Sequence, residues 1–263
     1  GSELFDFYRE DIVNWQAMQQ IFDDHQDISC VIHLAAQAGV RYSLIDPQSY
    51  QRSNLEGVLV LLEVAKSLPD LDHLVFSSSS SVYGGLTTLP CKVTDVTDKP
   101  MSLYAATKKA GELMCHTYAH LYGIPVTCLR FFTVYGPWGR PDMAVFVFTK
   151  KILSGEPIDV FNNGNMRRDF TYIDDIVAGV LACVAKPPAL GSGEAPYAVF
   201  NIGNHRSEKL MDFIGILEKE LGHKAEINFL PMQQGEVLET FADIENTRQA
   251  FGFEPKTNIS DGV

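Results

Sequence analysis

The sequence lacks the features that mark membrane and nucleic-acid-binding proteins. No apolar run approaches the roughly 20 residues needed to cross a bilayer, and no signal-peptide pattern opens the chain. Lysine and arginine together number 21 against 33 acidic residues, which gives a formal charge of −12. An excess of negative charge argues against the basic face that nucleic acid or an anionic membrane requires. We therefore expect a soluble cytoplasmic protein with no nucleic-acid and no membrane partner.

Cysteine is also scarce, and its spacing gives no metal-site pattern. The chain has five cysteines, an odd number without CxxC pairs, which favours reduced thiols packed in the core. His116 and His120 have helical i, i+4 spacing, but no acidic motif accompanies them. We predict no metal site.

What the sequence does contain is organised around an apolar strand, a serine run and a long helix. Residues 71–76 form a short apolar run that stops at five serines, 77–81, and predict a buried strand followed by a turn. Ser102 is a good helix N-cap, and Gly123 ends the pattern that follows it. A helix of about 20 residues is therefore expected between these two positions.

Tyr104 and Lys108 lie four residues apart on that helix, so both side chains project from one face. A phenol with an ordinary pKa of about 10 must have positive charge nearby to act as a base near neutral pH. We interpret Tyr104 as a base and Lys108 as its electrostatic partner, with a strand-end serine hydroxyl beside them. The alternative is a solvated helix above a low-complexity serine loop.

Strands and helices alternate through the rest of the chain. This alternation predicts an α/β fold with a doubly wound parallel sheet, followed by a second, smaller α/β region. The predicted strands are 5–7 (its end only), 28–34, 71–76, 126–132, 199–202 and 225–230. The predicted helices are 14–25, 47–67, 103–122, 144–153, 173–185 and 207–221, and residues 186–196 form the expected flexible connection.

Five sequence blocks carry a family resemblance. They are HLAAQAGVRYSL at 33–44, SSSVYG at 79–84, YAATK at 104–108, RFFTVYGPWGRPDM at 130–143 and NNGNMRRDFTYIDD at 162–175. In this order they resemble the extended short-chain dehydrogenase/reductase (NAD-dependent epimerase/dehydratase) family, and within it the UDP-glucuronate 4-epimerases. The resemblance implies a Rossmann-like dinucleotide-binding domain at 1–133 and 169–203, and a nucleotide-sugar domain at 134–168 and 204–263.

The resemblance also implies NAD as cofactor. The cofactor-binding residues that it implies are Leu34, Ala35, Ala36, Gln37, Asn54, Ser77, Tyr104, Lys108 and Phe131. Small residues at the end of a strand allow close approach of a cofactor, although a plain turn is the alternative for 35–39. The glycine-rich phosphate turn of the family is absent from the sequence, and we expect it to precede residue 1, with an N-terminally truncated sheet. An inactive fragment or a nucleotide-sugar binding module is therefore an alternative function.

In the family's reaction the matching catalytic residues are Tyr104, Lys108, Ser79 and its neighbour Ser80. Tyr104 would remove a proton from the sugar 4-hydroxyl while hydride passes to NAD, and the 4-keto sugar would be reduced on its other face. Dehydratases of the family have an Asp-Glu pair where this chain has Ser80 and Ser81, which argues against dehydration.

The substrate implied by the resemblance is a UDP-sugar, most closely UDP-glucuronate. The matching substrate-binding residues are Thr133, Arg140, Phe161, Arg168, Gln233 and Glu236, with Arg167 as a further candidate cation. Another UDP-hexose epimerase and a UDP-glucuronate decarboxylase are the alternatives. Helices 47–67 and 102–122 resemble the family's dimer helices, so a homodimer is expected.

Overall fold

The computed structural model describes residues 5–86, 88–189, 194–233 and 235–263. The strands are β1 (Cys30–His33), β2 (His73–Ser79), β3 (Val126–Phe131), β4 (Thr133–Tyr135), β5 (Ile158–Phe161), β6 (Arg167–Arg168), β7 (Phe170–Tyr172), β8 (Tyr197–Ile202), β9 (Glu208–Lys209), β10 (Ile227–Leu230) and β11 (Glu239–Thr240). The α-helices are α1 (Trp15–Asp24), α2 (Tyr42–Ile45), α3 (Pro47–Gln51), α4 (Gly57–Ala65), α5 (Leu103–Tyr122), α6 (Ala144–Ser154), α7 (Ile173–Val184), α8 (Leu210–Leu221), α9 (Glu245–Phe251) and α10 (Ile259–Gly262).

Four of these strands form a parallel sheet in the order β1-β2-β3-β8. Alternate residues of β2 enter different cores, because successive side chains of a strand point to opposite faces. Leu74 and Phe76 pack with α1, α4 and α5, whereas Val75 packs with residues of α7 and α9. Helices therefore cover both faces of the sheet, and the predicted doubly wound α/β class is confirmed.

Helix α5 has the limits that its sequence predicts. The Ser102 hydroxyl accepts a hydrogen bond from the Ala105 amide at 3.1 Å, and Gly123 ends the helix with φ of +69°. Within the helix, Gly111 faces the Phe76 ring so closely that an added Cβ would lie 2.4 Å from the ring carbon Cζ. This contact brings α5 directly onto β2 and fixes the depth at which Lys108 is buried.

Several predicted boundaries are wrong. Strand β2 continues through the first three serines to Ser79, because its backbone ladder with β3 does not require apolar side chains. Residues 5–7 form no strand, and the last long helix begins at Leu210 after the short strand β9. The single helix predicted at 47–67 is divided by a π-helical turn, Arg52–Glu56. Part of the predicted connection 186–196 lies outside the described residues.

A third core joins the later segments of the chain. Strands β5 and β10 pair in parallel, and α6 and α8 pack against them around Ile158, Phe213 and Leu217. A separate three-stranded sheet has the order β11-β6-β9 and carries Arg167 and Arg168. Among the described residues, no helix is long and apolar enough to cross a membrane.

Candidate active site

The predicted catalytic and cofactor-binding residues meet at the carboxyl edge of the main sheet. In the register of the strands, His33 at the end of β1 pairs with Phe76, so Ser77 and the next two residues of β2 extend beyond β1. Ser79 pairs with Phe131 at the end of β3. The amino-terminal half of α5 packs against this edge, as the Lys108 contact to β2 shows. Carboxyl ends of parallel strands are the usual ligand position in open α/β sheets.

Tyr104 is partly buried on the first turn of α5 and interacts with the end of β2. Burial raises the pKa of its phenol, because it outweighs the opposing effects of the neighbouring Ser79 hydroxyl and of the positive charge of Arg140. The Ser79 hydroxyl is further fixed by the Ser81 amide, which donates to it at 3.2 Å. Ser80 begins the short 3₁₀ turn Ser80–Tyr83 and is partly exposed. Tyr104 and Ser79 are therefore oriented toward each other, as proton transfer at one substrate hydroxyl requires.

Lys108 lies below Tyr104 and is only 3% exposed. Its ammonium group donates a hydrogen bond to the Ser77 carbonyl at 2.6 Å and lies 5.3 Å from the centre of the Phe76 ring. Burial lowers its pKa to about 8. Sequence spacing suggested that this ammonium reaches the phenol, but its hydrogen bond goes to the strand-end carbonyl, because a buried cation needs an acceptor. Among the charged groups of the described residues, the cation that lowers the pKa of Tyr104 is Arg140.

The buried position of Lys108 gives a prediction for its titration. Because desolvation disfavours the charged form, we expect the ammonium to lose its proton near pH 8, whereas an unperturbed lysine does so at about 10.4. Nitrogen-15 NMR of lysine-labelled protein, with Lys108→Met to assign the resonance, measures this midpoint. A Lys108 midpoint at or above pH 10 would contradict the assigned environment.

The loop after β1 has the character that a cofactor site requires. Leu34 and Ala35 are exposed, and Ala36, a second residue with a small side chain, is partly exposed. The next loop residue, Gln37, is held by the buried side chain of Asn54. The Asn54 side-chain oxygen accepts from the Gln37 amide at 2.8 Å, and its nitrogen donates to the Gln37 carbonyl at 3.0 Å. Small residues, accessible backbone and a fixed loop conformation fit a bound NAD, and the assignment of these residues to the cofactor stays a prediction.

Sequence analysis missed Tyr50, which supports the same loop. Its side chain is fully buried, and its hydroxyl donates to the Ala38 carbonyl at 2.9 Å. Its ring meets the Tyr104 ring edge to face, with centroids 6.1 Å apart. Tyr50 therefore positions both the loop and the ring of Tyr104. Its spacing of four residues from Asn54 was the available signal in the sequence.

Thr133 and Arg140 lie on the side of the site that follows β3. Thr133 opens β4 and pairs with Phe170 of β7. Arg140 extends from the following loop toward the β1 loop, and its Nη1 lies 3.9 Å from the point where a Cβ would stand on Gly39. Its ion pair, with Asp142 at 3.3 Å, is exposed, so the guanidinium remains accessible. The structure thus brings Arg140 close to Tyr104 although 36 residues separate them in sequence.

The other predicted substrate residues lie together around Arg168. The Arg168 guanidinium pairs with the Glu236 carboxylate at 2.9 Å and is largely buried. The Gln233 side-chain oxygen, on the same loop as Glu236, is buried and has no hydrogen-bond partner among the described residues. Phe161 ends β5, and one face of its ring is covered by the guanidinium of Arg41, 4.7 Å from the centroid. Sequence analysis quoted Arg41 within a family block but gave it no role.

Arg167 is excluded from this cluster by its own contacts. Its Nε donates to the Ser207 hydroxyl at 2.8 Å and pairs with Glu239 at 3.2 Å. The two adjacent arginines therefore have different partners: Arg167 joins β6 to Glu239 of β11 and to Ser207, while Arg168 pairs with Glu236. Within the described ranges, no three His, Cys, Asp or Glu side chains are grouped as metal ligands.

Comparisons with known proteins agree with this arrangement. Residues 2–203 match the NAD dependent epimerase/dehydratase family. Protein CapI of Staphylococcus aureus is 47% identical over 274 residues, covering 100% of this chain and 81% of that protein. UDP-glucuronate 4-epimerase 1 of Arabidopsis thaliana is 50% identical over 243 residues, covering 89% of this chain and 57% of that one.

A solved structure shows that the similarity extends to the fold. The UDP-glucuronic acid 4-epimerase of Bacillus cereus, in complex with UDP-glucuronic acid and NAD, superposes with a TM-score of 0.89 at 38% identity. The match covers 99% of this chain and 80% of that structure. The family match over most of the chain, the relatives and the shared fold lead to one conclusion. The chain belongs to the NAD dependent epimerase/dehydratase family.

Proposed function

We propose that this protein is an NAD-dependent epimerase that interconverts UDP-glucuronate and UDP-galacturonate by inversion at C4. The observation that carries the proposal is the position of Arg140 near the Tyr50–Tyr104 pair: a Cβ on Gly39 would lie 3.9 Å from its Nη1 and 3.6 Å from the Tyr50 hydroxyl, and the Tyr50 and Tyr104 rings are in contact. A sugar whose 4-hydroxyl meets Tyr104 carries its carboxylate on the adjacent carbon, C5. A guanidinium in that position offers bidentate hydrogen bonds to a carboxylate. The names of the relatives from Arabidopsis and Bacillus cereus support the same substrate.

The proton transfers follow from the residues at the sheet edge. Tyr104, ionised, takes the proton of the 4-hydroxyl and later returns it to the 4-keto oxygen after the sugar has turned over. The Ser79 hydroxyl would hold that oxygen. Arg140 supplies the positive charge that opposes the rise in the phenol pKa, and Lys108, protonated below about pH 8, holds the Ser77 carbonyl. NAD, when bound beside residues 34–37, supplies the hydride acceptor and donor for C4. The cofactor therefore ends each cycle unchanged.

Retention of the carboxylate separates epimerisation from the decarboxylase alternative. A 4-keto glucuronate is a β-keto acid, which loses carbon dioxide when its carboxylate stands perpendicular to the carbonyl plane. Thr133 and Arg140 would hold the carboxylate away from that geometry. Thr133 thus supports the acid sugar, whereas a neutral UDP-hexose would leave the Arg140 guanidinium without its anion.

Substitution of this pair tests the substrate. We expect Arg140→Ala to reduce kcat/KM for UDP-glucuronate roughly tenfold to hundredfold, because a charge-assisted hydrogen bond contributes about 1.5–3 kcal/mol. The kcat/KM of Arg140→Ala for UDP-glucose should change much less. Thr133→Asn should likewise lower the preference for UDP-glucuronate over UDP-glucose. Asp142→Ala, which removes only the exposed partner of Arg140, is the control. Unchanged turnover of UDP-glucuronate in Arg140→Ala and in Thr133→Asn would refute the assignment of these residues to the carboxylate.

The division into a dinucleotide-binding domain (1–133 and 169–203) and a nucleotide-sugar domain (134–168 and 204–263) is part of the proposal. The main sheet β1-β2-β3-β8 draws its strands from the first set of segments, which supports it. The strands of the β5-β10 pair come from the second set, as does most of the third core. A cytoplasmic location remains a prediction from the sequence.

We further propose a homodimer formed through α4 and α5. These helices lie side by side, since the Tyr118 hydroxyl of α5 donates to Glu63 of α4. Leu59 of α4 is 44% exposed, and Leu113 and Leu121 of α5 are exposed as well. Exposed leucines on two adjacent helices suit a helical interface. Analytical ultracentrifugation of the protein and of Leu113→Glu tests the assignment.

A further inference from the structure

Arg41 links three parts of the substrate site. It follows the Gly39 turn after β1, and its guanidinium lies over Phe161 at 4.7 Å. Its Nε pairs with one oxygen of Glu236 at 3.3 Å, while the side chain remains 57% exposed. Arg168 pairs with the other oxygen of the same carboxylate. Two guanidinium groups from distant segments therefore converge on one acidic side chain.

The charges of this cluster show why a second arginine is needed. Arg168 and Glu236 alone sum to zero, whereas the diphosphate of a UDP-sugar carries two negative charges. Arg167 is held by Glu239 and Ser207, so it does not supply the missing positive charge. Arg41 supplies that charge, because its Nε pairs with the same carboxylate as Arg168. Burial lowers the pKa of Arg168, and the nearby positive charge of Arg41 lowers it further. With Arg41 the cluster is net positive in a protein of net charge −12.

We infer that Arg41 is a second diphosphate-binding residue, which acts with Arg168 when the nucleotide binds. This inference rests on the proposed UDP-sugar substrate. A planar guanidinium contacts phosphate oxygens through two parallel hydrogen bonds, and its exposed position leaves it free to turn toward them. Arg41 thus extends the proposed nucleotide site to the loop that follows β1, which also carries predicted NAD-binding residues.

The contact with Phe161 gives this inference a second consequence. A guanidinium 4.7 Å from the ring centroid occupies that face, so a uracil ring that stacks there must displace it. The loop that carries Glu236 also contacts the residue before Arg41, since a Cβ on Gly235 would lie 3.3 Å from the Val40 side chain. Arg41 would therefore leave Phe161 and Glu236 for the diphosphate. Its removal should therefore weaken the binding of UDP without weakening the binding of uridine.

Calorimetric binding of UDP and of uridine tests the inference without requiring catalysis. For Arg41→Ala we expect the Kd for UDP to rise roughly tenfold to hundredfold, while uridine binds equally well or more tightly. Arg41→Lys, which keeps the charge without the planar fork, should give an intermediate Kd for UDP. The matched control is Arg52→Ala, because Arg52 is 60% exposed and also paired with a carboxylate. That variant should bind both nucleotides like the wild type.

The outcomes separate this inference from the proposed function. An unchanged Kd for UDP in Arg41→Ala overturns the inference alone, and so does equal weakening of UDP and uridine, which indicates a structural role. If the wild type binds UDP and Arg41→Ala weakens only UDP, the inference stands even when UDP-glucuronate is not turned over, and only the proposed substrate fails. A wild-type protein that binds neither UDP nor uridine overturns both.

Discussion

Replacement of Tyr104 by phenylalanine is expected to lower the rate of epimerisation roughly 10²–10⁴-fold, the range that general acid–base groups contribute. The phenol is the proton acceptor of the proposed reaction, and it lies next to the Ser79 hydroxyl at the end of β2. The substitution keeps the ring and its edge-to-face contact with Tyr50, so the fold and UDP binding should be retained. Steady-state kinetics with UDP-glucuronate, together with calorimetric UDP binding, measure both properties.

Tyr42 provides the matched control for this substitution. Its ring also contacts Tyr50, with centroids 6.3 Å apart, but its side chain is 44% exposed. Tyr42→Phe should therefore retain a rate within a few-fold of the wild type. If Tyr104→Phe retained more than a tenth of the wild-type rate, another group would have to be the base, and the central role of Tyr104 would be refuted.

The second large effect concerns stability. Glu112 and Arg130 form a buried ion pair, 1% and 3% exposed, with Nε and Nη2 each 2.8 Å from a different carboxylate oxygen. Ser78 of β2 donates to the same carboxylate at 2.7 Å. Glu112→Ala should destabilise the protein by about 3–5 kcal/mol, because it leaves a buried guanidinium without its counter-ion. Urea denaturation followed by circular dichroism measures the change.

Two comparisons show whether the loss comes from burial of the charge. Glu245→Ala removes an exposed i, i+3 pair with Arg248 and should cost no more than about 0.5 kcal/mol. The double variant Glu112→Leu with Arg130→Met should recover much of the stability that the single variant loses. Equal destabilisation by Glu112→Ala and Glu245→Ala would contradict the role assigned to the buried pair.

The pair also sets a pH dependence and connects stability with the site. Burial would raise the pKa of Glu112, but its hydrogen bonds and charge interaction with Arg130 outweigh burial and hold it below its usual value. Its stabilisation is therefore complete above the ordinary glutamate pKa of about 4.3 and is lost as pH falls through the lower folded-state value. Because Glu112 accepts a hydrogen bond from Ser78, it also joins α5 to the strand that carries Ser79.

Local sequence signals predicted the elements that they encode directly. The limits of α5 follow from Ser102 and Gly123, and both are confirmed by the structure. The family, the enzyme class and NAD as its cofactor followed from motifs at 33–44, 104–108 and 130–143, and the family match and the related structures confirm them. The strand alternation likewise predicted the doubly wound fold.

Contacts between distant segments could not be predicted in this way. Arg41 and Glu236 are separated by 195 residues, and nothing in either local sequence indicates that they pair. The hydrogen bond from Lys108 to Ser77 depends on how closely α5 approaches β2, which is a property of the packed core around Gly111. Strand β2 continues past its apolar residues because its partner β3 continues beside it. These features depend on tertiary packing, which periodicity does not report.

Proton NMR of the products formed from UDP-glucuronate and NAD tests the central claim most directly. We predict that the anomeric signal of UDP-galacturonate appears, that the mixture reaches equilibrium, and that no reduced cofactor accumulates. Formation of a UDP-pentose would identify a decarboxylase instead. Turnover of UDP-glucose to UDP-galactose with UDP-glucuronate unchanged would contradict the substrate that Thr133 and Arg140 are proposed to recognise.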